Sequence, residues 1–359
     1  MEPEVHKKPL RFYEIDLLRF LAAIAVVFHH YAFLSYQFSK HEAVHYPPLS
    51  LISKYGFLGV ELFFIISGYV VLMSAYNKTV KQFFLSRVTR LYPAFWVCCT
   101  LTFIVAYAAT PTGGTHPGVG QYIYNMTMLQ DFFGAVSLDG VYWTLTKEIV
   151  FYFLVAVLVG FGLIPYLDKV LLLWLLYTAL AGPNHPDNNG FSQLFIPAYS
   201  PFFAAGMIFF MLQNRMYAAW KLYGLLLLSL ALAMRSLFFI KGQYVEVCHT
   251  DFSFPVMASV VFLFFVLFGL IVFRVISLQN ATWLAKLGAL TYPVYLLHDN
   301  IGALFLDRYS TVDNKYYLLI AMIFIMLLAA YAVHELIEKR IAKPLGAQVS
   351  QLLAYLDTK

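Results

Sequence analysis

The chain has 359 residues, of which 61% are hydrophobic and only 12% are charged, whereas a soluble globular chain carries about 25% charged residues. The mean hydropathy of +0.72 and the long apolar runs leave no room for a soluble domain and predict a protein that crosses a membrane many times. The net charge of +5 fits basic residues at cytoplasmic helix ends, so no nucleic-acid partner is expected. Three cysteines, two of them adjacent, predict neither a disulfide framework nor a metal site.

The apolar runs predict an all-α integral membrane protein with about ten transmembrane helices. If the N-terminus lies in the cytoplasm, the inner segments hold seventeen lysines and arginines and the outer segments hold five, as the positive-inside rule requires. Both termini are therefore predicted to be cytoplasmic, with tails at 1–16 and 341–359 around a membrane domain at 17–340. The predicted spans are 17–35, 57–75, 92–110, 142–163, 170–182, 195–212, 220–240, 254–273, 286–305 and 317–337.

The first predicted span carries three polar side chains, Arg19, His29 and His30, in an otherwise apolar run. Eleven residues make about three helical turns, so Arg19 and His30 are predicted on one face, about 16 Å apart along the axis. Ionisable groups at this depth face a protein interior or a wet cavity, because exposure to lipid is costly. His30 is therefore a candidate base, and a structural hydrogen-bonded histidine is the alternative.

Two glutamates are predicted at a depth similar to that of His30. Glu61 opens the second span in the stretch GVELFF, and Glu148 opens the fourth in WTLTKE. A carboxylate beside a histidine can fix its tautomer and raise its basicity, as a base acting on a hydroxyl requires. As alternatives, Glu61 is a helix N-terminal carboxylate stabilised by the helix dipole, and Glu148 is neutralised by the adjacent Lys147.

The stretch FFLSRVTRLYPAFW places Arg87 and Arg90 on one helical face just before the third span, at the predicted membrane surface that Arg19 also reaches. Guanidinium groups match phosphate oxygens, so these side chains are candidates for binding a phosphate-bearing molecule. Anchoring of cytoplasmic helix ends is the alternative. In the ninth span, His298 and Asp299 form either a cavity-lining pair or a structural hydrogen bond.

Five patterns follow one another along the chain and together resemble one family. They are the pair Arg19 and His30; Gly59, Val60, Glu61, Phe63, Phe64, Ser67 and Gly68; the pair Arg87 and Arg90; Trp143, Thr144, Leu145 and Glu148; and Tyr292, Pro293, Tyr295, Leu296 and His298. Over about residues 11–344 the chain resembles the membrane-bound acyltransferase-3 family, which includes bacterial O-acetylases of O-antigen, exopolysaccharide and Nod factor. It departs from the family at Glu61, where aspartate is common, and at Ile149, where a second acid often follows.

The resemblance implies an O-acyltransferase of the bacterial cytoplasmic (inner) membrane. Its donor would be cytoplasmic acyl-CoA, with acetyl-CoA as the expected co-substrate and no metal, and its acceptor a hydroxyl of a cell-surface, exported or lipid-linked saccharide. Some members append an extracytoplasmic esterase-like domain, and this chain is expected to be a stand-alone member. The predicted roles are catalytic for His30, Glu148, Arg19 and Glu61, donor-binding for Arg87, Arg90 and Arg19, and substrate-binding for Trp143, His298 and the additional His29.

In the simplest scheme implied by this resemblance, His30 deprotonates the acceptor hydroxyl and Glu148 orients His30. A covalent acyl-histidine is the other possibility. The pantetheine arm of coenzyme A is roughly 15–20 Å long, which is similar to the axial distance from Arg19 to His30. The competing function is a carrier, in which the histidines and carboxylates of a glycan or lipid exporter form a proton relay.

Overall fold

The computed structural model describes residues 12–110, 115–183 and 190–357, and within these ranges the regular secondary structure is helical. A backbone in hydrocarbon must satisfy its hydrogen bonds internally, which a helix does within its own segment. The α-helices of the described residues are α1 (Tyr13–His29), α2 (Ser35–Ser39), α3 (Pro47–Ser53), α4 (Gly59–Ala75), α5 (Val80–Ala109), α6 (Val119–Asn125), α7 (Tyr142–Gly160), α8 (Leu167–Ala181), α9 (Gly190–Phe195), α10 (Ser200–Gln213), α11 (Ala219–Cys248), α12 (Phe254–Val272), α13 (Leu284–Leu297), α14 (Asp299–Tyr309), α15 (Lys315–Val333) and α16 (Lys339–Asp357).

The predicted all-α, multi-pass architecture is confirmed, because nine helical segments of the described chain are long and apolar enough to cross a membrane. The predicted ninth span differs, since the α-helix is interrupted at His298, which divides the segment into the short apolar α13 and the following α14. The cytoplasmic position of the termini stays a prediction. The nine segments are Tyr13–Ser39, Pro47–Ala75, Val80–Ala109, Tyr142–Gly160, Ile164–Ala181, Gly190–Gln213, Ala219–Cys248, Phe254–Val272 and Lys315–Tyr355.

The two predicted tails are more structured than the sequence indicated. Helix α1 already begins at Tyr13 within the predicted N-terminal tail, whose residues 1–11 lie outside the described part. At the other end, α16 continues from α15 through a π-helical turn over His334–Glu338. Half-buried residues such as Ala342, Leu345 and Val349 recur along α16 at helical spacing, so one face packs against α5. The predicted C-terminal tail is therefore largely an amphipathic helix.

Helices α4 and α10 lie in the interior of the bundle and touch each other at two glycines. A Cβ atom on Gly68 would collide with the carbonyl oxygen of Phe203, and a Cβ atom on Gly206 would collide with that of Ile65. Small residues allow this close backbone approach, which replaces the hydrophobic effect as a source of helix association in lipid. The contact fixes the position of α4 and with it the position of Glu61.

The first span is interrupted at the histidine pair. Helix α1 ends at His29, and a π-helical turn over His30–Leu34 precedes α2. The backbone N–H of Ser35 donates to the carbonyl oxygen of His30, and the Ser35 hydroxyl donates to the same oxygen over 2.8 Å. Single π turns inside α-helices occur frequently at functional sites. The irregularity falls on the histidine that the sequence singled out.

Candidate functional site

A cavity of about 450 Å³ lies beside His30, and we call it the histidine cavity. The His30 side chain lines it and is 13% exposed. The expectation that His30 faces a cavity inside the protein is therefore met, and the imidazole is accessible to a molecule bound there. The other lining residues come from several helices and one loop: Val26, Leu34, Ser35, Phe38, Ser39, Phe57, Val60, Gly140, Val141, Trp143, Tyr244, Tyr295, Asp299, Asn300, Ala303, Leu304 and Asp307.

Asp299, the first residue of α14, holds the His30 ring. Its Oδ1 atom lies 2.5 Å from Nδ1 of His30, which donates the hydrogen bond. With Nδ1 protonated, Nε2 carries the lone pair and is the basic nitrogen of the ring. A carboxylate that fixes a histidine in this way also stabilises the imidazolium that forms during proton transfer. The predicted orienting role of Glu148 is therefore wrong, and Asp299 takes that position.

A second carboxyl group, that of Asp139, lies behind Asp299. Asp139 is fully buried just before α7 and accepts hydrogen bonds from the backbone N–H groups of Val141 (3.3 Å) and Asn300 (3.2 Å). Burial and the adjacent Asp299 charge raise the pKa of Asp139 well above its usual range, and the two carboxyl groups share a hydrogen bond. The protonated Asp139 donates to Asp299, which leaves the charge on the carboxylate that faces His30. Gly140 makes the approach possible, because a Cβ there would collide with the Asp299 carboxylate.

His29 and His298 do not contact the histidine cavity. The Nδ1 atom of His29 lies 3.1 Å from the carbonyl oxygen of Ser53, and that of His298 lies 2.9 Å from the carbonyl oxygen of Tyr295. Both side chains are fully buried, and the His298 ring packs edge-on against His30 with 4.9 Å between the ring centroids. The structure corrects the prediction that these two histidines bind substrate, since both are packed behind the site.

A second cavity, of about 300 Å³, lies near the beginnings of α1 and α5 and is called the arginine cavity. Arg19, Arg87 and Arg90, which the sequence placed at one membrane surface, all line it. A capping box between Thr79 and Gln82 starts α5 and sets the helical register of its two arginines. The structure thus brings the three predicted phosphate-binding side chains to one cavity.

Packing partners hold two of these arginines in place. The Arg87 guanidinium lies 5.7 Å from the centroid of the Tyr152 ring. Arg90 Nη1 lies 4.0 Å from Oε2 of Glu338, and the same oxygen accepts a hydrogen bond from Nδ1 of His334 over 2.5 Å. His334 and Glu338 are the two ends of the second π turn. No local sequence pattern indicates this support, because it joins residues 248 positions apart.

Glu148 lines the arginine cavity and not the histidine cavity. Its Oε1 atom accepts hydrogen bonds from the Ser67 hydroxyl (2.9 Å) and the Tyr152 hydroxyl (2.5 Å). The alternative that Lys147 neutralises Glu148 is also wrong, since Lys147 Nζ lies 3.4 Å from Oδ2 of Asp131. Lys147 and Glu148 are adjacent in sequence, but their side chains leave α7 in different directions. Glu148 therefore belongs with the three arginines.

The two cavities adjoin, because Val60 and Tyr295 line both. The Tyr295 hydroxyl and the Thr144 hydroxyl are 2.8 Å apart and share a hydrogen bond at this junction. Along α1, eleven residues separate Arg19 from His30, which is about 16 Å of helix. A long, thin molecule with an anionic end could therefore lie in the arginine cavity and reach His30.

A third cavity, of about 600 Å³, contains Glu61 and is called the glutamate cavity. Glu61 is 2% exposed, and it lines this cavity instead of the histidine cavity. Glu61 therefore does not line the same cavity as His30, and its predicted catalytic role stays a prediction. The cavity shares Phe57, Val60, Trp143 and Tyr244 with the histidine cavity, and its remaining lining residues are Asp131, Gly134, Lys147, Gln193, Tyr199, Ile240 and Gln243.

A family model described as an acyltransferase domain, Acyl_transf_3, matches residues 12–335. The chain belongs to this family. The match contains every residue that lines the three cavities, and it confirms both the resemblance inferred from the sequence and the predicted class of enzyme. Solved structures offer no match to this chain.

Curated relatives match over shorter segments. Nodulation protein 10 of Rhizobium leguminosarum bv. viciae is 31% identical over 115 residues, which cover 26% of this chain and 30% of that protein. Peptidoglycan O-acetyltransferase OatA of Listeria monocytogenes serovar 1/2a is 34% identical over 97 residues, covering 25% of this chain and 13% of the relative. O-acetyltransferase OatA of Staphylococcus aureus is 44% identical over 61 residues, covering 14% and 10% respectively. The chain thus spans less than a third of the length of each relative.

Proposed function

We propose that this protein transfers an acyl group, acetyl in the expected case, from cytoplasmic acyl-CoA to a hydroxyl of a cell-surface or exported glycan. The observation that carries the proposal is the meeting of the arginine cavity and the histidine cavity at Val60 and Tyr295. A donor held by its phosphates in the first cavity would present its thioester to the base in the second. Two of the relatives are named O-acetyltransferases, which supports the same reaction class.

The charge of the arginine cavity supports an anionic donor. Its lining contains three arginines and one glutamate, Glu148. Like charges gathered in a partly buried cavity repel one another, so an anion bound between them is stabilised. Arginine binds phosphate oxygens through two parallel hydrogen bonds, which adds geometric selectivity. The phosphates of coenzyme A meet this requirement.

The proposed reaction uses the free nitrogen of His30. Nε2 takes the proton of the acceptor hydroxyl while the hydroxyl oxygen attacks the thioester carbonyl carbon, so that the new C–O bond forms. The C–S bond then breaks, and the departing thiolate receives the proton back from the imidazolium to give CoA-SH. Asp299 holds the ring at 2.5 Å and stabilises the imidazolium between the two proton transfers.

A covalent route has the same balance in two steps. Nε2 attacks the thioester carbon, the C–S bond breaks, and the departing thiolate takes a proton from solvent to give CoA-SH. The acceptor hydroxyl then takes the acyl group from the imidazole and gives its proton back to solvent. Rapid mixing with acetyl-CoA in the absence of acceptor separates the two routes. The covalent route predicts a burst of about one CoA per protein followed by slow hydrolysis, whereas direct transfer predicts slow hydrolysis from the start.

The function is tested by comparing the surface glycan of a strain lacking the gene with complemented strains. The wild-type gene should add an acyl group that mass spectrometry detects, and His30→Ala should not, at equal protein level in the membrane. His41→Ala, which changes an exposed histidine on the same segment of the chain, serves as the matched control. Full acylation by His30→Ala would refute the mechanism. A glycan of unchanged mass but altered location would support a carrier instead.

A further inference from the structure

The glutamate cavity is not used by the donor or by the base in the mechanism above. At about 600 Å³ it is large enough for a sugar ring, and it adjoins the histidine cavity at a wall that includes Trp143 and Tyr244, which line both. A molecule bound there would therefore lie beside the cavity that His30 lines.

Within the described part of the chain, Glu61 has a buried carboxyl oxygen without a hydrogen-bond partner at the wall of this cavity. Its carboxyl group is buried at the cavity wall, and its Oε2 atom has no partner among the described residues. A buried carboxyl oxygen without a partner costs free energy, which a bound donor group recovers. The nearby amine of Lys147 lies 3.4 Å from Asp131, so its charge is directed to another carboxylate. A ligand hydroxyl, which both donates and accepts hydrogen bonds, would supply the partner that Oε2 of Glu61 lacks.

The rest of the lining fits a polyhydroxylated ligand. Gln193 and Gln243 add amide groups that both donate and accept hydrogen bonds. The rings of Trp143 and Tyr199 pack together with 5.2 Å between centroids and present apolar surface at the same wall. Aromatic surface with a few placed polar groups is the pattern of small-molecule sites that fix orientation. A sugar ring has both an apolar C–H face and a rim of hydroxyls.

Charge separates this cavity from the arginine cavity. In the glutamate cavity Lys147 is paired with Asp131 and Glu61 is a buried carboxyl group, whereas in the arginine cavity three arginines stand against one glutamate. An anionic ligand is therefore favoured in the arginine cavity and disfavoured in the glutamate cavity. The two cavities can sort a phosphate-bearing donor from an uncharged acceptor.

We infer that the glutamate cavity is the acceptor subsite and binds an uncharged saccharide unit, with Glu61, Gln193 and Gln243 as hydroxyl-binding residues. The inference rests on the proposed function. One sugar hydroxyl passes the wall at Trp143 and Tyr244 and enters the histidine cavity, where it loses its proton to His30 and gains the acyl group. Glu61 is then a binding residue and takes no part in the proton transfer.

The experiment uses the full chain in lipid nanodiscs with acetyl-CoA and methyl β-glucoside as a surrogate acceptor. CoA release and the mass of the glycoside are measured, with methyl β-glucuronide as the anionic comparison. The glucoside should accelerate CoA release and gain an acetyl group, and the glucuronide should do so at least about tenfold less efficiently. Gln243→Leu should raise KM for the glucoside about tenfold, the effect of one lost hydrogen bond to a buried group. Glu61→Gln, which replaces one carboxyl oxygen by an amide NH2 group, should also raise this KM.

KM for acetyl-CoA and the acceptor-free hydrolysis of acetyl-CoA should stay unchanged in both variants, because the donor side is intact. Glu246→Gln, an exposed glutamate on the same helix as Gln243, is the matched control and should keep wild-type kinetics. Thermal unfolding of each variant shows whether it is folded. The Gln243→Leu variant keeps the test decisive if Glu61→Gln fails to fold.

Three results would overturn the inference. These are an unchanged glucoside KM in both variants, a loss of acceptor-free hydrolysis in folded Glu61→Gln, and His30-dependent hydrolysis that neither glycoside accelerates. The last result would leave the donor half of the proposed function standing. Wild-type protein that releases no CoA in a His30-dependent manner would instead refute the proposed function itself.

Discussion

The pair formed by His30 and Asp299 gives the sharpest test of the chemistry. Asp299→Asn keeps the size of the side chain but removes the negative charge 2.5 Å from Nδ1. The amide can also present its NH2 group to the ring, which would stabilise the tautomer with the proton on Nε2 and remove the base. The substitution therefore acts on the reaction and not on the space available in the cavity.

The expected size of the effect follows from the geometry. A hydrogen bond to a charged group contributes about 1.5–3 kcal/mol, and both side chains are only 13% exposed, so solvent screens the pair weakly. Loss of about 2–3 kcal/mol in the transition state slows the reaction about 30- to 200-fold. A change of tautomer would add to this loss. The substrate affinities should change little, because Asp299 acts through His30.

The assay is the rate of CoA release from acetyl-CoA by protein in nanodiscs, with and without methyl β-glucoside. Asp299→Asn should lower kcat and leave KM for acetyl-CoA within about twofold. The matched control is Asp313→Asn, which changes an exposed aspartate between α14 and α15 and should be as active as the wild type. A folded Asp299→Asn protein with wild-type kcat would refute the assignment of Asp299 as the group that orients His30.

Three other substitutions test separate parts of the structure. Arg87→Ala combined with Arg90→Ala should raise KM for acetyl-CoA by about tenfold or more, since charge-assisted phosphate contacts are lost. KM for the glucoside should stay unchanged. An unaltered dependence of the rate on acetyl-CoA concentration would contradict the donor role. Asp139→Asn should flatten the dependence of thermal stability on pH. The pKa of Asp139 is raised in the folded state, so the free energy of unfolding of the wild type falls as pH rises from about 4 through that pKa. Asparagine does not titrate and removes this dependence. An unchanged pH profile in Asp139→Asn would count against the buried acid. Gly68→Val should reduce the yield of folded protein strongly, because the new side chain would collide with the backbone carbonyl of Phe203 and overpacking costs about 1–3 kcal/mol or more. A normal yield of folded protein would disprove the tight crossing of α4 and α10.

The location of His30 could be predicted because its signal is local. A histidine at a fixed spacing from an arginine, inside an apolar run, needs no knowledge of other helices to be placed on an inward face. The same holds for Arg87 and Arg90, whose spacing puts them on one face of α5. All three were expected at internal or interfacial sites, and the structure has them lining the histidine and arginine cavities.

The partners of these residues could not be predicted in the same way. Glu148 and Glu61 lie at a similar predicted depth to His30, but depth along the membrane normal does not say which side of a helix faces which neighbour. In the structure Glu148 turns toward the arginines and Glu61 toward a separate cavity. Asp299 drew notice only as the neighbour of His298, and Asp139 not at all, because an acid before a span is common at a helix start.

The order of apolar and basic segments by itself determined that this chain is a multi-pass helical protein and which side chains avoid lipid, because the cost of burying charge in hydrocarbon acts on each segment separately. Only the tertiary structure decided that Asp299 and not Glu148 pairs with His30, and that the polar groups divide among three adjoining cavities. Those outcomes depend on the rotation and close crossing of helices distant in sequence, which packing at residues such as Gly68 and Gly140 sets.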